Sequence, residues 1–133
     1  MLVLGVLDKM VEFDPRTVAV CVFGEDQSTR IIRSFLEDDG YTLVESPEEL
    51  TPEVSERRCF VARARLENVN VTIERISDGP QREGVLGIAY SVADLSEGVK
   101  SRLGELGYGN VFEHYSSFSL IGDTIENHYA EKD

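Results

Sequence analysis

His114 and His128 are the only histidines in the chain. His114 stands between Glu113 and Tyr115 in a stretch that reads as a strand. An imidazole titrates near neutrality, so one held at such a place can serve as a general base or accept a phosphoryl group. With an arginine beside it, His114 would make a small hydrolase or phosphatase-like site. No serine or cysteine nucleophile motif accompanies it, and neither histidine has the spacing of a zinc ligand. The plainer reading of His114 is a structural or surface residue. Ser116, Ser117 and Ser119 follow it, and a half-exposed strand accounts for them.

Two further groups can bind a ligand. Residues 24–29, which include Gly24, Ser28 and Thr29, join an apolar strand to the start of a helix. Such junctions gather unpaired backbone N–H groups at the positive end of the helix dipole, and anions collect there. Against this, Glu25 and Asp26 repel a phosphate. No lysine follows, and neither the P-loop nor the dinucleotide glycine pattern is present. Capping by Asp26 or Ser28 explains the turn without a ligand. The second group is arginine. Arg57, Arg58, Arg63, Arg65, Arg75 and Arg82 concentrate base in the middle third. Arg63 and Arg65 share a strand face and can hold a carboxylate or phosphate in two-point contact. Pairing with Glu67 or Glu74 across strands is the commoner arrangement. No metal and no cofactor is expected.

These residues must be positioned by a particular run of elements. Residues 1–14 read as a helix with one solvated stripe at Asp8, Lys9 and Glu12. Residues 17–23 (TVAVCVF) are a continuous β-branched run and read as a buried strand. A helix follows to Asp39, stopped by Gly40, and then a short strand at 41–45. Residues 46–58 read as a loop or frayed turn. Residues 59–66 alternate, with Phe60, Ala62, Ala64 and Leu66 on one face and Arg63 and Arg65 on the other. A second alternating set, Val69, Val71 and Ile73, follows a flip in parity, and 77–84 is a loop. Leu86, Ile88, Tyr90 and Val92 make another strand. Asp94 with Glu97 resembles a capping box for a helix ending at Gly107. The last strand is expected at 111–121, with a polar tail at 123–133.

The two helices end alike: Leu36, Gly40, Tyr41 and Leu103, Gly107, Tyr108 have the same spacing. A glycine in the left-handed conformation just past a helix lets the next residue pack on the leucine one turn back. Cys21 and Cys59 lie within apolar runs and read as buried thiols, not as a disulfide framework.

The net charge is −12, from 25 acids against 13 bases, and Lys9, Lys100 and Lys132 are the only lysines. Phosphate neutralisation needs clustered base, so nucleic acid is not an expected partner, and an anionic membrane is repelled too. An acidic, lysine-poor surface suits molar salt. There the Debye length falls to about 3 Å and repulsion between carboxylates is muted. Residues 1–7 are apolar but have no basic leader and meet Asp8 at once, so a cytoplasmic protein without a signal peptide is expected.

In composition the chain resembles the small acidic proteins of haloarchaea. Its segment 69–122, with strand, loop, strand at 85–92, helix, Gly107, strand and then Ser119, Leu120, Ile121 and Gly122, is similar to ACT regulatory domains. That resemblance implies amino-acid binding at the interface of paired domains. The family places a small residue or glycine in the loop that opens its helix, where the ligand lies; the chain departs from it there, with Ser91, Val92, Ala93 and Asp94, so no binding residue is carried over. The expectation is a single α+β domain over 1–133. It would be a two-layer sandwich with a mixed or antiparallel sheet, helices mainly on one face, ferredoxin-like. Its function would be that of a non-enzymatic regulatory or small-ligand-binding module working as a homodimer. The alternative is the small hydrolase using His114 with an arginine.

Overall fold

The computed structural model describes residues 13–24, 26–64 and 84–130. The expected helix over 1–14 therefore lies almost wholly outside the described residues. So do Arg65, Glu67, Glu74, Arg75 and Arg82, and the strand expected around Val69 to Ile73.

Five strands are described: β1 (Val18–Phe23), β2 (Thr42–Val44), β3 (Arg57–Arg63), β4 (Val85–Ser91) and β5 (Asn110–Glu113). They form one sheet in the order β2-β1-β3-β4-β5, and all four neighbouring pairs are parallel. The chain does mix helix and strand as expected, but the expectation of a mixed or antiparallel, ferredoxin-like sheet is overturned. The reason lies in the connections. No neighbouring strands are joined by a tight turn. Each link is a dozen or more residues long, as a parallel crossover requires, or, between β1 and β2, contains a full helix.

Three α-helices are described: α1 (Gln27–Asp38), α2 (Glu97–Glu105) and α3 (Ile121–Ala130). They do not lie on one face. Ile32 and Leu36 of α1 join Ile121, Ile125 and Tyr129 of α3 against Val18, Val20, Val22, Cys59, Val61, Ile88 and Tyr90. Leu103 of α2, with Leu50 and Tyr108, packs on Ala19, Cys21, Phe60, Ala62 and Ala89 of the other face. The two-layer expectation therefore gives way to three layers, with the sheet in the middle. A strand covered on both faces buries successive residues, and Val18 to Val22 and Arg58 to Ala62 are buried without a break. Cys21 and Cys59 are buried free thiols on opposite faces of the sheet.

Both helix stops have the expected geometry. Gly40 and Gly107 take φ of 97° and 101°. The Tyr41 N–H reaches Leu36 O at 3.1 Å, and the Tyr108 N–H reaches Leu103 O at 2.8 Å. These are the 6→1 bonds of the Schellman motif, with Gly40 to Glu37 and Gly107 to Gly104 closing the inner ring. The helix starts are less regular. Asp26 caps α1, accepting from Thr29 N at 3.0 Å. Ser96, not Asp94, caps α2 by accepting from Val99 N at 3.2 Å.

The end of the chain departs from expectation. The strand proposed for 111–121 stops at Glu113. A 3-10 turn follows over Tyr115–Leu120, and then α3 occupies most of what was expected to be a polar tail. Phe118, Ile121, Ile125 and Tyr129 are three or four residues apart and form one buried stripe. Their polar neighbours conceal that period in the sequence. Phe118 is fully buried, edge-on to Tyr90 at 5.4 Å between ring centres, and is not on an open strand edge.

Candidate functional site

In a doubly wound parallel sheet the crossovers reverse direction at one point. There the loops after two adjacent strands diverge and leave a crevice beyond the strands' carboxyl ends. In this sheet the reversal falls between β1 and β3. The loop after β1 supplies Gly24 and Asp26, the first turn of α1 supplies Ser28 and Thr29, and the end of β3 supplies Arg63.

Asp26 is the centre of the site. Its Oδ1 accepts from Ser28 Oγ at 2.8 Å, from Thr29 N at 3.0 Å and from Thr29 Oγ1 at 2.7 Å. Its Oδ2 accepts from Arg63 Nη1 in an ion pair. Thr29 Oγ1 is also bonded to the Tyr90 hydroxyl, from the next strand but one. The proton order follows from the carboxylate. Thr29 has one hydroxyl proton and gives it to Asp26, so Tyr90 must donate to Thr29. Burial alone would raise the Asp26 pKa. The bonds from Thr29, Arg63 and Ser28 outweigh it and hold this carboxyl far below the usual carboxylate range. Burial is also the main reason the Tyr90 phenol is shifted upward, so it stays protonated as the chain of bonds requires.

The backbone is shaped to allow this. Gly24 has φ of 140°, and a Cβ there would stand 2.6 Å from Thr29 Oγ1. Arg33 holds the turn from outside, donating to Val22 O at 2.8 Å and Gly24 O at 3.1 Å. Arg63 has a further approach to Ser28 Oγ at 3.5 Å, and its buried Nε has no hydrogen-bond partner among the described residues.

Of the candidate ligand-binding residues, Gly24, Ser28, Thr29 and Arg63 are therefore gathered around Asp26 at the β1/β3 reversal, with Ser28 and Thr29 buried. Arg65 lies outside the described residues. The rest of the arginine cluster divides. Arg57 and Arg58 sit at the opposite end of β3, Arg57 over the Phe13 ring at 5.9 Å and Arg58 buried and donating to Leu50 O at 3.3 Å. Asp26 and Tyr90, which organise the crevice, were not foreseen as site residues. Asp26 was legible only as a cap, and nothing local to Tyr90 marks it.

His114 is elsewhere. It follows β5 with φ of 72°, its Nε2 lies 2.6 Å from Asp94 Oδ1, and both side chains are largely exposed. The register sets β4 between it and Arg63, with Arg63 beside Tyr90 and Tyr90 beside Phe112. Strands two apart are separated by roughly 10 Å, and Arg63 is turned to Asp26 and Ser28. Ser117 is turned to main-chain acceptors, Glu113 O at 2.8 Å and His114 O at 2.9 Å. Glu113 itself receives Lys100 Nζ at 2.8 Å and Leu95 N at 2.8 Å. The Lys100 contact, then the Leu95 bond, lower its pKa.

Among the described residues no group of three or more His, Cys, Asp or Glu side chains could hold a metal ion. No described helix is long and apolar enough to cross a membrane. In comparison with known proteins, no family model matches the chain and no curated protein is detectably similar in sequence.

Proposed function

We propose that this chain is a non-enzymatic regulatory or small-ligand-binding module that takes a small carboxylate-bearing molecule at the β1/β3 crevice. The observation that carries the reading is the Arg63–Asp26 pair at the reversal point, where doubly wound sheets bind their ligands. The Arg63 guanidinium, a quarter exposed, can meet an acceptor, and Asp26 beside it suits a donor on the same ligand. Asp26 is held ionised in the site and repels a doubly charged phosphate more strongly than a singly charged carboxylate. The hydrolase alternative needs His114 next to an arginine. Its exposed pairing with Asp94, with Arg63 turned to Asp26, favours the module.

The acid excess and scarce lysine support a salt-rich cytoplasm as the working environment. Native mass spectrometry of the protein purified from its own cells tests the ligand. A small-molecule adduct is expected, and Arg63→Gln should lose it. No adduct on the wild type, or one that survives Arg63→Gln, would refute the reading.

A further inference from the structure

A cavity of about 600 Å³ lies at the other edge of the sheet, where β3, β4 and β5 begin. Its volume is within the range of small-molecule sites. It exists because two neighbouring strands start at different levels. The first matched pair of β4 and β5 is Ile88 with Asn110, so Val85, Leu86 and Gly87 precede it. Ser91 turns its main chain towards β5, since its carbonyl accepts from the His114 N–H at 2.7 Å. Alternation along the strand turns Gly87 and Val85 to the same side. Asn110 N–H is placed for the Gly87 carbonyl. Among the described residues, no strand stands opposite the Gly87 N–H or either main-chain group of Val85.

The walls leave that edge open. Gly87 and Gly109 line the cavity without side chains, and a Cβ on Gly109 would meet nothing within 4 Å. His128 and Tyr129 bring their rings, edge to face at 4.7 Å between centres. The Tyr129 hydroxyl is engaged with Arg58, accepting from its N–H at 2.9 Å and donating to its carbonyl. The ring is thus what it offers a ligand.

Charge narrows the class of ligand. The cavity sits at the carboxyl ends of α2 and α3, where the helix dipole is negative. Glu56 also lines it, and Arg57 opposes Glu56 locally in a chain of net charge −12. A phosphorylated ligand is disfavoured, and a neutral polar one suits the balance. We propose that this cavity binds an uncharged, nucleoside-sized molecule with a cyclic-amide edge. The adjacent N–H and C=O of that edge replace the missing strand on Val85 and Gly87, with Asn110 as a second donor and acceptor.

The test uses uridine, inosine, 3-methyluridine and uridine 5′-monophosphate as probes, read by the amide resonances of Gly87 and Gly109 in ¹⁵N–¹H spectra. Uridine or inosine should give saturable shifts with half-saturation below about 10 mM. The 3-methyl compound, which lacks the ring N–H, should bind at least about fivefold more weakly, and the monophosphate no more tightly than uridine. Gly109→Phe, which projects into the open space, should abolish the shifts while keeping the folded spectrum, and Asn110→Ala should weaken them. Gly104→Ala, on α2 and outside the lining, should leave them unchanged. Absence of saturation with both uridine and inosine would overturn the proposal. So would equal binding of 3-methyluridine, tighter binding of the monophosphate, retention of binding in Gly109→Phe or its loss in Gly104→Ala.

Discussion

Replacing Asp26 by Asn perturbs the β1/β3 crevice with almost no change of shape. Asparagine is as good a helix cap as aspartate, so the bond from Thr29 N survives. What is lost is the charge facing Arg63. With the amide oxygen kept on Thr29 N, the NH2 must face the Arg63 guanidinium, donor against donor. Removing one partner of a fully buried pair costs about 3–5 kcal/mol. Here the side chains keep 23% and 25% of their exposure, so water recovers part of that. The expected loss is about 2–3 kcal/mol, between the charged hydrogen-bond value and the buried-pair value. Urea unfolding at high KCl and pH 7 measures it as a shift of midpoint with the slope unchanged. The pH dependence carries a second check. Asp26 is depressed in the folded state, so its contribution is complete above the unfolded value near 3.9 and is lost as pH falls towards the folded value. The gap between wild type and variant should therefore be flat from about pH 7 to 5 and shrink by roughly 1 kcal/mol at about pH 3. A difference below about 0.5 kcal/mol at pH 7, within the range of an ordinary surface substitution, would refute the account of the network. A gap that widens on acidification would refute it too.

Other outcomes follow from the same structure. Gly107→Ala should destabilise by about 1 kcal/mol through the left-handed cap. Gly40→Ala should cost at least as much, since its Cβ would also press to 3.2 Å from Pro15 Cγ, and both are read by urea midpoints. Phe118→Asp should unfold the chain, because the side chain is fully buried beside Tyr90. A folded variant by circular dichroism, with the mass halved in light scattering, would instead place Phe118 at an interface between two copies of the chain. The melting temperature should rise between roughly 0.1 and 2 M KCl, and a flat curve would remove the salt-adapted reading.

Much of the local structure was legible because it depends on neighbours in sequence. The run TVAVCVF declared a strand, Gly40 and Gly107 declared two helix stops with their leucine and tyrosine partners, and Asp26 was one of two possible caps. The α3 helix was harder. Its apolar stripe is only one residue in three or four, and Phe118 was close enough in spacing to pass for the continuation of β5. The turn at His114, with its positive φ, is not marked by a glycine or any neighbouring turn residue. At the crevice, Gly24, Ser28, Thr29 and Arg63 could each be suspected alone. Their meeting depends on β3 lying next to β1 and could not be read from either segment.

The sequence by itself determined the element types over most of the described chain, the two glycine caps, the buried thiols and the charge of −12. Each follows from residue volume, backbone freedom or ionisation within a few positions. Only the tertiary structure decided that every strand runs parallel, that helices cover both faces, and that β5 begins late enough to leave a cavity beside β4. Strand direction and level are set by how long connections pack back on the sheet. That packing depends on surfaces far apart in sequence. The same separation keeps His114 from Arg63 and gives Asp26, Thr29 and Tyr90 their shared line of hydrogen bonds.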